Sequence, residues 1–139
     1  MAFEKNVQGG SLTLSASTGL KQYQAVALSG SRLINPTTEG NCIGVITSSG
    51  TTGSTGRAGS TDSGSVQTVQ FLGVAKVLAG TTGIAAGGLL KASTDGRCST
   101  SSVASTSYQF GMALSAVDST STSAHVISVL LTPAFNSFR

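Results

Sequence analysis

Few residues of this chain are equipped for catalysis. His125 is the only histidine, so a Ser-His-Asp or Cys-His arrangement would have to use its imidazole as the base that activates a nucleophile. It lies in a period-two run and shares a face with Ile127 and Val129, which reads as a side chain packed in the core or at an interface. The five acids, Glu4, Glu39, Asp62, Asp95 and Asp118, are spread along the chain and fall mostly in turns or loops, leaving little for paired-carboxylate chemistry. Cys42 and Cys98 are too few and too widely spaced for a disulfide framework or a four-ligand zinc site, and read as buried thiols. A serine and lysine dyad has many candidates, but nothing singles out a pair. The glycine-rich stretches 50–64 and 83–88 lack the Gly-Lys-Ser/Thr ending and the following helix of a phosphate loop. The expectation is a protein that is not an enzyme, with no catalytic, cofactor-binding or metal-binding residue and no cofactor.

The composition points to a scaffold of strands and turns. Among the 139 residues are 23 Ser, 18 Thr and 18 Gly, and only 9% are charged, against about 25% in ordinary soluble domains. Ser and Thr compete for backbone hydrogen bonds and Gly costs about 1 kcal/mol relative to Ala inside a helix, so long helices are disfavoured. With 39% hydrophobic residues there is material for a core, which excludes a disordered chain. The eight basic residues, from Lys5 to Arg139, are scattered, and a phosphate-binding face needs them clustered, so no nucleic-acid partner is expected. No run approaches the roughly 18 apolar residues of a membrane span and the N-terminus has no signal pattern, so no membrane partner is expected and synthesis is placed in the cytoplasm.

The elements that must position any site are organised around residues 66–90, VQTVQFLGVAKVLAGTTGIAAGGLL. This stretch combines an apolar strand pattern, a glycine kink at Gly73, a stop at Ala79-Gly80 and a second apolar run over 84–90. The core Leu72-Gly73-Val74-Ala75 is echoed by Cys42-Ile43-Gly44-Val45-Ile46 and by Phe110-Gly111-Met112-Ala113-Leu114. Each echo reads as a strand with one site where no side chain fits, so another backbone or a sharp bend comes close.

Residues 1–10 read as an extended arm, and 11–17 alternate with Leu12, Leu14 and Ala16 on one face. Residues 21–28 are expected as a strand that sets Tyr23, Ala25 and Ala27 against Gln22, Gln24, Val26 and Leu28. Short strands follow at 32–34 and 41–47. Residues 47–65 form a long Ser/Gly-rich connection. Strands at 89–93 and 97–99 flank a tight turn at Thr94-Asp95-Gly96-Arg97, whose Asp-Gly pair suits positive φ. Later strands are expected at 108–114 and 124–131. The fold class is all-β: one small β-barrel or sandwich domain over 11–132, with the arm at 1–10 and a C-terminal tail at 133–139. The tail carries Phe135 and Phe138, two aromatics that need a surface to cover them.

Val74-Ala75-Lys76-Val77, Ala79-Gly80, Ile84-Ala85-Ala86-Gly87-Gly88-Leu89-Leu90 and Thr94-Asp95-Gly96-Arg97, in this order, resemble the capsid cement, or head decoration, proteins of tailed bacteriophages. The resemblance extends to Gln24-Ala25-Val26-Ala27-Leu28, Ile43-Gly44-Val45 and Phe110-Gly111-Met112-Ala113-Leu114. It implies a small β-barrel, commonly a homotrimer, that binds the outer surface of the mature head and clamps neighbouring major capsid subunits. It also implies that the N-terminal arm adds to a capsid strand. Ala2, Phe3, Glu4, Lys5, Asn6 and Val7, with Phe135 and Phe138 of the tail, are then the positions expected to meet the capsid. The alternative is a head-fibre or tail-associated β domain that binds a host glycan or receptor, which a cluster of Tyr23, Tyr108, Phe135 and Phe138 would favour. A small head protease is a third reading, and it lacks a nucleophile set beside a base.

Overall fold

The computed structural model describes residues 10–37, 42–48, 64–80, 83–101, 109–117 and 125–132. They form ten strands: β1 (Ser11–Ala16), β2 (Ala25–Ser29), β3 (Arg32–Ile34), β4 (Gly44–Ile46), β5 (Val66–Gln70), β6 (Gly73–Leu78), β7 (Leu89–Ala92), β8 (Cys98–Thr100), β9 (Gln109–Ala113) and β10 (Val126–Leu131). There is no helix among the described residues. The chain is all-β, in keeping with a Ser, Thr and Gly content that disfavours long helices.

The first five strands close into a barrel in the order β1-β3-β2-β4-β5, and the last five form a sheet in the order β6-β10-β9-β7-β8. The strand pairings are antiparallel except β1 with β3, where Ser15 stands opposite Arg32 and Ala16 opposite Leu33, and a single parallel bridge joins Ala79 to Cys98. The far end of β6 curls back onto the opposite edge of its own sheet. The Ala79 N–H still bonds on the β10 side, to the His125 carbonyl at 2.7 Å, while the Gly80 N–H reaches the edge strand β8 at the Cys98 carbonyl, 2.8 Å away. Both edges of the sheet are thereby occupied at that corner, which limits pairing with foreign strands.

Two apolar clusters follow from the topology. Inside the barrel Ala16, Leu20, Val26, Leu33, Ile46 and Val69 are buried. The second cluster lies between the five-stranded sheet and the outside of the barrel, where Val77, Leu90, Phe110, Ile127 and Val129 meet Ala25 and Val45. Each fully buried Val, Leu or Ile side chain contributes roughly 1.5–3 kcal/mol. Strands β2 and β4 are shared, sending Val26 and Ile46 into the barrel and Ala25 and Val45 into the second cluster.

That sharing corrects the reading of residues 21–28. The strand begins only at Ala25, Tyr23 has a positive φ of 66°, and Ala25, Val26 and Ala27 are all buried rather than alternating. A strand with both faces covered has no polar side to display. The strand expected at 89–93 is present as β7, and the apolar run ahead of it is not strand. Ile84 is buried, but Ala85 to Gly88 make a turn in which the Gly88 N–H donates to the Ala85 carbonyl at 3.0 Å, and β7 starts at Leu89. The tight turn joins β7 to β8, with the Gly96 N–H donating to the Ser93 carbonyl at 2.9 Å and φ of 75° at Gly96 alone.

The three glycine segments divide into the two expected causes. A Cβ at Gly44 would stand 2.5 Å from the Gln70 carbonyl oxygen, and one at Gly111 would stand 2.7 Å from that of Leu130, so these are close approaches of neighbouring backbone. A Cβ at Gly73 would meet only Gln70 Nε2, at an ordinary contact distance of 3.6 Å, but the residue has a φ of 86°. It is the bend that carries the chain from the barrel into the second sheet.

Candidate interaction surface

Among the described residues, the cysteines, His125 and Asp95 form no cluster of three metal-ligating side chains. The Cys42 thiol donates to the Gly44 carbonyl at 3.2 Å and packs against the second cluster, while Cys98 is wholly buried within it. Both are free thiols, and burial pushes each up to about 12. Neither is a thiolate at neutral pH, so neither is poised as a nucleophile. His125 is half-buried at the start of β10, and its carbonyl accepts the Ala79 N–H.

The described carboxylate, Asp95, sits in the β7–β8 turn. Partial burial pushes it up, but the Ser93 hydroxyl, the Arg97 N–H at 3.1 Å and the Arg97 guanidinium at 3.5 Å outweigh that and hold it below its ordinary value. This network organises the turn, which docks on the barrel: the Ala25 N–H donates to the Gly96 carbonyl at 2.7 Å, and Gln24 Nε2 donates to the Asp95 carbonyl.

The positions expected to meet a capsid, Ala2, Phe3, Glu4, Lys5, Asn6, Val7, Phe135 and Phe138, lie outside the described residues, as do Tyr108 and 49–63 of the long connection. What is described is how the body holds their bases. Gly10 accepts the N–H groups of Phe71 and Leu72 at 2.8 and 3.3 Å, which ties residue 10 to the bend at Gly73. Thr132 N–H donates to the Phe110 carbonyl at 3.0 Å.

The feet of the long connection are cross-braced through a buried amide. Ser48 Oγ donates to Gln67 Oε1 at 2.6 Å and accepts the Thr68 N–H at 3.0 Å, while Gln67 Nε2 donates to Ser65 Oγ at 3.4 Å. The Gly64 N–H and Ser65 carbonyl bond to Ala16 at 2.8 Å each. Residues 48 and 64–65 are therefore set beside one another at one end of the barrel.

One surface escaped the sequence reading. Strands β6, β9 and β10 carry apolar residues on both faces, and Val74, Leu130, Met112 and Leu89 stand in register across the outside of the second sheet. The available signal was the continuity of VLL and GMAL, which fits strands covered on both sides rather than on one.

A closed five-stranded barrel joined to a five-stranded sheet defines a small all-β protein. No family model and no curated protein matches the chain. Among solved structures it is similar to the N base of the head fiber gp8.5 in bacteriophage phi29. The TM-score is 0.54 and the identity 18%, over 88% of this chain and 93% of that one. At that identity the likeness is one of fold.

Proposed function

We propose that this chain is a structural protein of a phage virion, carried on the outer surface of the mature head, where it clamps neighbouring major capsid subunits and stabilises the shell. The observation that carries this reading is the fold, common to 88% of this chain and to nearly the whole of a phage head-fibre base. The sequence resemblance to head decoration proteins, drawn from separate motifs, supports the same conclusion.

The role requires no catalysis. A body that touches several subunits gains tight attachment from weak contacts through effective concentration, and an arm that adds to an exposed strand gains backbone hydrogen bonds with little demand on sequence. Preference for the mature shell then stabilises it by mass action. The major capsid protein is the partner this reading names, and a homotrimer at symmetry-related positions is the assembly that the resemblance implies.

A second reading is favoured by the name of the structural neighbour: the chain is the base of a head fibre, or a tail-associated β domain, whose outward part meets a host glycan or receptor.

Purified protein is co-sedimented with expanded, undecorated heads, and the heads are heated with and without it. Saturable binding with raised heat resistance supports the clamp. Binding that leaves heat resistance unchanged favours the fibre base, and retention on host cells without head binding rules out both head readings. A chain beginning at Gly10, which keeps the bonds to Phe71 and Leu72, is expected to fold but to bind heads more weakly.

A further inference from the structure

Asp95-Gly96 is the only Asp-Gly or Asn-Gly pair in the sequence, and such a pair has a reaction of its own open to it. The amide nitrogen of the glycine attacks the aspartyl Cγ and closes a five-membered succinimide ring, with no Cβ on the glycine to obstruct the approach. An N–Cγ bond forms, a C–O bond of the carboxyl breaks, and water leaves with the amide proton. Water then reopens the ring. Attack at Cγ restores the aspartyl chain, whereas attack at the α-carbonyl breaks its bond to nitrogen and leaves an isoaspartyl link, with one more carbon in the main chain. Mass is unchanged, and water is the only co-reactant.

The fold sets an obstacle against each requirement of that reaction. The nucleophile is occupied: the Gly96 N–H donates to the Ser93 carbonyl at 2.9 Å, and Gly96 is buried, away from a base that would take its proton. The electrophile is occupied as well. Asp95 Oδ1 accepts the Ser93 hydroxyl and the Arg97 N–H at 3.1 Å, and Oδ2 lies 3.5 Å from Arg97 Nε. These partners favour the ionised carboxylate, which is a poor electrophile because no hydroxyl is in place to leave. The main chain is fixed on either side, since the Asp95 carbonyl accepts Gln24 Nε2 and the Gly96 carbonyl accepts the Ala25 N–H at 2.7 Å.

Ring closure also needs a different backbone. The Gly96 bond to Ser93, the Ser93 N–H bond to the Arg97 carbonyl and the positive φ of Gly96 define a type I turn followed by a left-handed residue. In such a turn the residue at the place of Asp95 has ψ of about 0°. The ring requires the Gly96 nitrogen eclipsed with Cβ, roughly a third of a revolution away. That rotation breaks the bonds to Gln24 and Ser93.

We propose that Asp95-Gly96 is a latent self-modification site that the docked β7–β8 turn keeps closed: isoaspartate forms when the turn comes away from the barrel, and the altered turn then no longer docks. The second half follows from the fit. A Cβ on Gly96 would already stand 2.7 Å from the Ala25 carbonyl oxygen, so an added main-chain carbon has no room, and it carries the Gly96 carbonyl away from the Ala25 N–H. The reaction thus fixes in the parted state any copy whose barrel and second sheet have separated at this point. This inference holds whether or not the chain sits on a phage head.

The full chain, native and in urea, and a peptide of residues 89–101 are incubated at neutral pH. Isoaspartate is measured by an isoaspartyl-specific methyltransferase and by peptide mapping, where it shifts retention without changing mass. The unfolded chain and the peptide are expected to convert at similar rates, and the native chain at least about tenfold more slowly, since only its open fraction reacts. Ser93→Ala removes the hydroxyl on Asp95 Oδ1 and leaves the bonds to Gln24 and Ala25 in place. It is expected to speed conversion about threefold or more in the native chain and to leave the rate of the peptide as it was. Converted chain returned from urea is expected to show a lower thermal transition than unconverted chain treated alike. A native chain that converts as fast as the peptide overturns the shielding, and so does a native rate that Ser93→Ala does not change. A peptide that forms no isoaspartate overturns the latent site, and an unchanged transition in the converted chain overturns the loss of docking.

Discussion

Gln24 and Gly96 interlock where the barrel meets the second sheet: a Cβ placed on Gly96 would stand 2.2 Å from Gln24 Cγ and 2.7 Å from the Ala25 carbonyl oxygen. The buried Gln24 side chain accepts the Lys21 N–H at 2.7 Å and donates to Asn35 Oδ1 at 3.0 Å and to the Asp95 carbonyl. Its backbone carbonyl accepts the Ile46 N–H at 3.0 Å. One residue thus gathers β2, β4, the chain after β3 and the β7–β8 turn.

Gly96→Ala meets both a positive φ and a backbone oxygen, so it is expected to destabilise by about 2–4 kcal/mol, combining left-handed strain with overpacking. Gln24→Ala leaves buried groups without partners and is expected to cost about 1–3 kcal/mol. Because the two residues touch, the double variant is expected to cost less than the sum. Urea denaturation of the three variants measures this, and strict additivity would show that the contact is not energetically coupled.

The three related glycines are expected to respond differently. Gly44→Ala and Gly111→Ala drive a Cβ into the carbonyls of Gln70 and Leu130, at about 1–3 kcal/mol each. Gly73→Ala costs about 1–2 kcal/mol from its φ alone. Asn tolerates the left-handed region, so Gly73→Asn is expected to recover part of the loss, whereas Gly44→Asn is expected to be worse than Gly44→Ala. Equal responses at both sites would refute the distinction between close approach and bend.

Gln67 braces the feet of the long connection from inside the barrel. Gln67→Leu keeps the packing but removes the acceptor of Ser48 Oγ, with an expected cost of about 1 kcal/mol. Gln67→Ala also leaves a void, raising the expected loss to about 2–4 kcal/mol. Amide exchange at Thr68, whose N–H donates to Ser48 Oγ, is expected to quicken in both variants. A Thr68 amide that exchanges as slowly as in the unmodified chain would mean that Ser48 is held without Gln67.

Stability is expected to fall at both ends of the pH range. Burial pushes the Asp95 carboxyl up, but the Ser93 hydroxyl, the Arg97 N–H and the Arg97 guanidinium together outweigh it and hold the group low in the folded state. Its contribution is present above the unfolded value of about 3.9 and is lost as pH falls through the folded value. Because the pair is largely exposed, that loss is expected to stay below about 1 kcal/mol, and Asp95→Asn is expected to remove it. At the alkaline end both thiols are raised to about 12. The stability linked to their protonated forms is whole below the unfolded value of about 8.5 and declines as pH rises towards 12. Near pH 8 a disulfide reagent is expected to leave both cysteines unmodified until urea unfolds the chain. Rapid native labelling of Cys98 would contradict its burial.

Local pattern made a good part of this protein legible in its sequence. The period-two runs placed β1 and β10, the Asp95-Gly96 pair placed the β7–β8 turn, and glycine flanked by apolar residues marked Gly44, Gly73 and Gly111 as positions where a side chain cannot stand. Those features depend on neighbours a few residues away, so the chain itself carries them. Tertiary structure decided the rest. Whether Gly73 bends while Gly44 and Gly111 admit a backbone depends on a partner strand far off in sequence. So does the parallel pairing of β1 with β3, the burial of β2 and β4 on both faces, and the junction through Gln24. Alternation says that two faces differ but not which one is covered, and a run without alternation, such as Val129-Leu130-Leu131, says nothing of what lies on either side. Only the register of β6, β10, β9 and β7 gathered Val74, Leu130, Met112 and Leu89 into one outward surface.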